Sequence, residues 1–178
     1  MKELKILFTG PMGAGKTTAI SMISDVPPIV TDVPNNDPES AKALTTVGLD
    51  YGELQLATGE QLRLYGTPGQ RRFEFMWRIL ANGALGLVIL LDHTRPDPIA
   101  DLAIYLTNFS ELIKEAGCVV AVGRLDGQSA QQLEPYIDCA QQHHVVCPVV
   151  AIDVRDRDQV LLLMDLLLLQ LESRMDIA

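Results

Sequence analysis

Eight consecutive residues, Gly10-Pro11-Met12-Gly13-Ala14-Gly15-Lys16-Thr17, match the pattern G-x-x-x-x-G-K-[ST] at every specified position. These residue types point to phosphate chemistry. The glycines at 10, 13 and 15 let backbone amides, those of Met12 and Ala14 among them, turn inward as an anion nest. The helix expected to follow adds the positive end of its dipole beside Thr18. Lys16 supplies a point charge for the β- and γ-phosphates, and the Thr17 hydroxyl can ligate Mg2+. A hydrophobic run precedes the loop and a helical one follows, which is the context the pattern requires. The pattern alone leaves ATPase, kinase and GTPase open.

The next informative stretch is Tyr65-Gly66-Thr67-Pro68-Gly69-Gln70, where a strand gives way to a helix. On these residues the chain resembles the Ras-like small GTPases, whose second switch reads D-x-x-G-Q. The resemblance implies that the Gly69 amide meets the γ-phosphate and that Gln70 orients the attacking water. Gly66 stands where the family has an aspartate that holds Mg2+ through water. The ion would then rest on Thr17, the phosphates and the first switch. Pro68 replaces the usual alanine. The G-T-P-G-Q loop, with Arg71-Arg72-Phe73 and Phe75-Met76-Trp77 after it, is similar to the prokaryotic branch that holds MglA and the GTPases encoded beside Roadblock-fold proteins.

Thr45-Thr46-Val47-Gly48-Leu49-Asp50 resembles the T-V-G first switch of Arf-type members, which makes Thr46 the threonine that closes on Mg2+ and γ-phosphate. The base-reading loop, N-K-x-D in the family, falls on Gly123-Arg124-Leu125-Asp126. Asp126 matches the aspartate that pairs with guanine. Arg124 keeps the cation whose stem stacks on the base, while glycine takes the asparagine's place. The alternative is that Asp126-Gly127 is a turn before the next helix. The fifth loop would fall at Asp153-Val154-Arg155, bringing Val154 and Arg155 to the base.

Ras-like hydrolysis needs a further cation on the phosphoryl oxygens, usually an arginine. Arg71 and Arg72 follow the glutamine directly; one of them swings inward, or a partner supplies the group. Phe75 and Ile79 share a side with Arg71, Arg72 and Arg78. That composition suits an interface centre, or else Phe75 packs beneath a loop. His93, His143 and His144 have no metal-ligand spacing, and helix-end capping accounts for them better. Asp92 ends a central strand, at the edge where such sheets bind ligands; a structural hydrogen bond is the simpler role.

Phosphate loops need a strand before and a helix after, and the chain supplies such units repeatedly. Strands are expected at Lys5–Thr9, at Leu49–Ala57 (alternating through Leu49, Tyr51, Leu54 and Leu56), and at Gln61–Tyr65, paired with the one before as a hairpin. Further strands are expected at Ala84–Leu91, Cys118–Val122 and Val145–Ile152. The first and second of these are continuous apolar runs suited to burial on both faces. Helices are expected at Lys16–Ser24, Gln70–Asn82, Pro98–Ala116, Ala130–Gln142 and Asp156–Arg174. In the second, Phe73, Met76, Trp77 and Leu80 form the core stripe. Val26–Ser40 carries four of the ten prolines and reads as a long, functional loop. The order of elements is α/β, and the resemblance to Ras-like GTPases implies a P-loop NTPase G domain: a six-stranded, mostly parallel sheet with one antiparallel strand and about five helices on both faces, occupying 1-178 as one domain.

The balance of 48% hydrophobic and 21% charged residues over 178 positions is that of one globular domain. A net charge of -9 argues against nucleic acid and against a polybasic membrane anchor. Three cysteines without C-x-x-C spacing favour buried thiols and a cytoplasmic setting. No targeting segment or integral membrane segment is expected. On the last helix, Asp158, Asp165 and Glu172 recur every seven residues with Leu162 and Leu169 on the same side, so it is apolar nearly all round. A homodimer or a Roadblock-type regulatory protein would cover it.

The expectation is a Mg2+-dependent GTP/GDP switch with slow hydrolysis. A nucleotide-binding scaffold without hydrolysis and a P-loop ATPase are the alternatives.

Overall fold

The computed structural model describes residues 3–34, 44–127 and 130–175, with side chains over 4–29, 49–127 and 130–174. The chain runs β1 (Glu3–Thr9), α1 (Lys16–Ile23), β2 (Ile29–Pro34), β3 (Leu44–Gln55), β4 (Gln61–Gly66), α2 (Glu74–Ala81) and β5 (Ala84–Asp92). It continues through α3 (Pro98–Asn108), α4 (Ser110–Glu115), β6 (Gly117–Gly123), α5 (Glu134–Gln142), β7 (Val149–Ile152) and α6 (Arg157–Met175). Single 3-10 turns precede α2 at Arg71–Phe73 and α5 at Ala130–Gln132.

The strands form one sheet in the order β2-β3-β4-β1-β5-β6-β7, parallel throughout except for β3. The apolar runs Leu87–Leu91 and Val119–Val122 are fully buried at its centre, as expected of strands covered on both faces. Because side chains alternate along a strand, β1 feeds two cores. Ile6 and Phe8 pack under α1 and α6 with Ile20, Leu163 and Leu167, whereas Leu7 joins Trp77, Leu106 and Phe109 on the other face.

The six strands read from the sequence are all present, and a seventh, β2, joins the edge within the proline-rich stretch expected to be a loop. An edge strand tolerates prolines because its outer backbone groups need no partner. Residues 35–40 of that stretch lie outside the described residues. The helix expected over Pro98–Ala116 divides at Phe109, whose backbone (φ -102, ψ 15) leaves helical geometry as its ring stacks on Trp77 at 5.9 Å. Of the alternating apolar positions in β3, Leu54 is buried while Leu49 and Tyr51 sit half-buried on the opposite parity. The inward face is Asp50, Gly52 and Leu54, so a carboxylate points into the protein.

Cys118 and Cys139 are buried and Cys147 half-buried, all as free thiols. Among the described residues, no helix is long and apolar enough to cross a membrane.

Candidate functional site

The loops after β1, β4, β5, β6 and β7 meet at the carboxyl edge of the sheet, where open α/β folds bind ligands. They enclose an open cleft of about 1090 Å³. Residues 12–18 form its floor, Gly69, Gln70 and Arg72 one wall, and Arg124, Val154 and Arg155 the far end. The cleft therefore gathers most of the residues singled out from the sequence. Gly10 lies beneath the floor, against the Leu90 carbonyl.

The phosphate loop is shaped by its glycines and its helix. Gly15 caps α1 in the left-handed region (φ 101), and a Cβ there would come within 2.8 Å of Val154 Cγ2. The first-turn amides of α1 thus open into the cleft without an acidic side chain to occupy them. Lys16 is buried, and its ammonium donates to the Gly10 and Pro11 carbonyls at 2.7 and 2.9 Å. Burial lowers its pKa from 10.5 to about 8, partly opposed by the Asp50 carboxylate.

Thr17 Oγ1 donates to Asp50 Oδ2 at 2.6 Å. Asp50 is 3% exposed, and in the antiparallel register of β3 and β4 its partner is Gly66. Burial raises its pKa, against the opposing pulls of the Thr17 hydroxyl and Lys16. A carboxylate thus reaches the phosphate-loop threonine from the strand beside the one where the family pattern would put it. A Cβ on Gly66 would sit 3.1 Å from that carboxylate, so the bare position makes room for it. Asp50 was not among the expected site residues. The signal was available: a charged residue at an inward position of β3, paired with the glycine that departs from the pattern.

The second loop is fastened at both ends. Trp77, fully buried, donates its indole N–H to the Pro68 carbonyl at 2.8 Å, and the Thr67 and Thr9 hydroxyls meet at 2.7 Å. Gly69 passes so close to the phosphate loop that a Cβ would lie 2.5 Å from the Met12 nitrogen. Gln70 follows at the wall, its amide nitrogen 3.7 Å from Met12 Sδ.

The two arginines part company. Arg72 lines the cleft and lies over the Phe73 ring at 4.8 Å. Arg71, expected as an equal catalytic candidate, instead pairs with Glu74 at 2.7 Å and borders a separate small cleft beside α3. The i, i+3 spacing on the first turns draws it to that carboxylate. Phe75 and Ile79 are exposed at 64% and 65%, off the side of α2 that buries Trp77.

At the far end, Arg124 adopts φ 58 and ion-pairs with Asp92. Asp92 also accepts bonds from the Thr94 amide and hydroxyl at 2.9 and 2.6 Å. Burial works against its charge, but those bonds and Arg124 hold its pKa below the usual value. Asp126 is exposed and its side chain does not line the cleft, although Leu125 and Gly127 on either side do. Arg155 pairs with Asp153 at 2.8 Å. Thr46 lies in β3, but its side chain is outside the described residues. His143 Nδ1 meets the Cys139 carbonyl oxygen at 2.8 Å, a helix-end contact, and His93 Nδ1 meets the Tyr136 hydroxyl at 2.7 Å. Among the described residues no three His, Cys, Asp or Glu side chains cluster as a metal site.

GTP-binding protein ypt4 of Schizosaccharomyces pombe is 26% identical over 79% of this chain and 60% of its own length. The uncharacterized protein MJ1339 of Methanocaldococcus jannaschii is 31% identical over 52% of this chain and 53% of its own. The mouse intraflagellar transport protein 22 homolog is 22% identical over 74% and 71%, respectively. The chain thus spans little more than half the length of the first two relatives. Residues 30–147, more than half of the chain, match the family described as conserved hypothetical ATP binding protein. On that match, and with the α/β P-loop NTPase-like fold described above, the chain belongs to this family of conserved hypothetical ATP-binding proteins.

Proposed function

We propose that the protein is a Mg2+-dependent guanine-nucleotide switch of the Ras-like kind that hydrolyses GTP slowly to GDP. The observation that carries the reading is the joining of phosphate loop, carboxylate and second loop at one cleft. Lys16, the Thr17–Asp50 pair and the Gly69 backbone all border the same end of it.

Thr17 and Asp50 offer a hydroxyl and a carboxylate, oxygen donors of the kind that suits a hard divalent ion. They would hold Mg2+, with Thr46 as the family-implied third contributor. When bound, the ion would neutralise charge on the β- and γ-phosphate oxygens. With one protein carboxylate on Thr17, the nucleotide's own phosphates must complete the shell, which makes metal and nucleotide affinity interdependent.

The remaining work falls to side chains. Lys16 exchanges its two carbonyl partners for phosphate oxygens, and the amides of residues 13–18 close around the β-phosphate. Gln70 orients water at the γ-phosphate, and Gly69, packed against the phosphate loop, offers its amide to the same phosphate. Arg72, already at the cleft wall, is the in-chain cation for the developing charge. At the base end Arg124 backs the ring and Val154 and Arg155 border the pocket, while Asp126, exposed beside the cleft, must turn inward to accept from the guanine edge.

Relatives support the choice of nucleotide unevenly. The yeast relative is named GTP-binding, whereas the family description speaks of ATP. ATP is accordingly the second reading. Single-turnover hydrolysis separates the readings: release of phosphate from GTP but not ATP, abolished in Gln70→Ala with binding retained, supports the proposal. Turnover of ATP alone, or none of either nucleotide with tight binding, would overturn it. A Roadblock-type partner or a second copy at the Phe75/Ile79 face or along α6 belongs to the same proposal. Sedimentation at rising concentration tests the second copy.

A further inference from the structure

Gly123 ends β6 where the family pattern has a base-contacting asparagine, yet nothing in its surroundings demands glycine. Its φ is not in the left-handed region, and a Cβ there would find its nearest neighbours at 3.5 and 3.7 Å, ordinary contact distances. In the β5–β6 register its partner is Asp92. The phosphate end shows the same relation: Gly66 is bare, and its register partner Asp50 is a buried aspartate. At each end a polar group missing from one strand stands on its neighbour.

Asp92 borders the cleft, and its carboxylate is taken up there by the next residue of the base loop. Its side chain, 8% exposed, is anchored by the Thr94 amide and hydroxyl, and it holds the guanidinium of Arg124, whose own side chain is 59% exposed. Arg124 is one of two described non-glycine residues with positive φ. Such a conformation is strained for a non-glycine residue and persists where surroundings over-determine it. An ion pair with one partner this exposed adds little stability by itself. Rigid anchor, strained backbone and exposed planar cation at a cleft wall together describe a prepared stacking surface.

Resting on the nucleotide reading of the cleft, we propose that Asp92 is a positioning residue for the base. It fixes the Arg124 guanidinium as the platform on which a purine ring lies, in place of the asparagine absent at 123. The platform reads a flat ring rather than its edge, so it serves any purine nucleotide.

The test is a double-mutant cycle on full-length protein, with GDP, ADP and inorganic tripolyphosphate as probes. Asp92→Asn and Arg124→Ala should each weaken GDP binding at least about tenfold, as loss of a stacking contact does. The double variant should be no weaker than Arg124→Ala alone, because Asp92 acts through Arg124. Tripolyphosphate, which has no base, should bind all variants within about twofold of the wild type. Multiplying penalties, an equal loss for tripolyphosphate, or unchanged GDP binding in Arg124→Ala would each overturn the proposal. The exposed Arg124 side chain keeps that last arm usable even if Asp92→Asn fails to fold. Equal binding of ADP and GDP by the wild type would refute the guanine assignment and leave this cycle readable with either nucleotide.

Discussion

Replacing Lys16 by methionine should stabilise the nucleotide-free protein, by an amount that shrinks as pH rises. Lys16 is 7% exposed, and burial brings its pKa from 10.5 to about 8. At neutral pH the folded protein must therefore keep a largely desolvated ammonium at the floor of the cleft. That displacement corresponds to a penalty of about 3.5 kcal/mol, using roughly 1.4 kcal/mol per pKa unit. The sign follows from proton counts. Between pH 8 and 10.5 the unfolded chain holds a proton on Lys16 that the folded chain has released, so wild-type stability rises with pH across that window. The penalty is full below pH 8 and falls to about 1 kcal/mol by pH 10. Methionine has a similar length and no charge. It forfeits the bonds to the Gly10 and Pro11 carbonyls, which reduces the gap but not its pH dependence. Urea unfolding in EDTA without nucleotide, at steps from pH 7 to 10, gives the difference between the two proteins directly. A wild-type-minus-variant difference that stays flat within about 0.5 kcal/mol across that range would refute the reasoning.

Other expectations follow from the same geometry. Asp50→Asn should reduce the gain in GDP affinity on adding Mg2+ by at least about tenfold while leaving affinity in EDTA within about threefold, as titration calorimetry in both conditions would read. Arg72→Ala should lower single-turnover GTP hydrolysis by about ten- to a thousandfold, whereas Arg71→Ala, tied to Glu74 outside the cleft, should change it less than about threefold. Trp77→Phe leaves the Pro68 carbonyl without its buried donor and opens space beside Tyr105. It should cost about 2–4 kcal/mol in urea unfolding, and a loss below about 1 kcal/mol would mean the second loop is not fastened there.

What could be read in advance depended on the range of the interaction. The phosphate loop is a contiguous pattern, and Lys16, Thr17 and the strand before them follow from it locally. The central strands announced themselves as unbroken apolar runs. Harder were features that exist only once strands are paired. Asp50 acts through its register with Gly66 and its reach to Thr17, 33 residues away in sequence. Asp92 holds Arg124 across 32 residues. Neither pairing leaves a spacing signature. The exchange of one strand's polar residue for its neighbour's looks, in sequence, like a simple loss at Gly66 and Gly123. The division at Phe109 and the edge strand β2 were hidden for a related reason. Ring packing on Trp77 overrides local helix preference, and an unpaired edge accepts prolines that an inner strand would refuse.

The decisive measurement is equilibrium binding of labelled GDP with Mg2+ and with EDTA, competed by unlabelled GTP, GDP, ATP and ADP, with Lys16→Ala as the control. Displacement by guanine nucleotides alone, tighter with Mg2+ and lost in Lys16→Ala, is the predicted result. Equal displacement by ATP and ADP, or binding indifferent to Mg2+ and to Lys16, would contradict it.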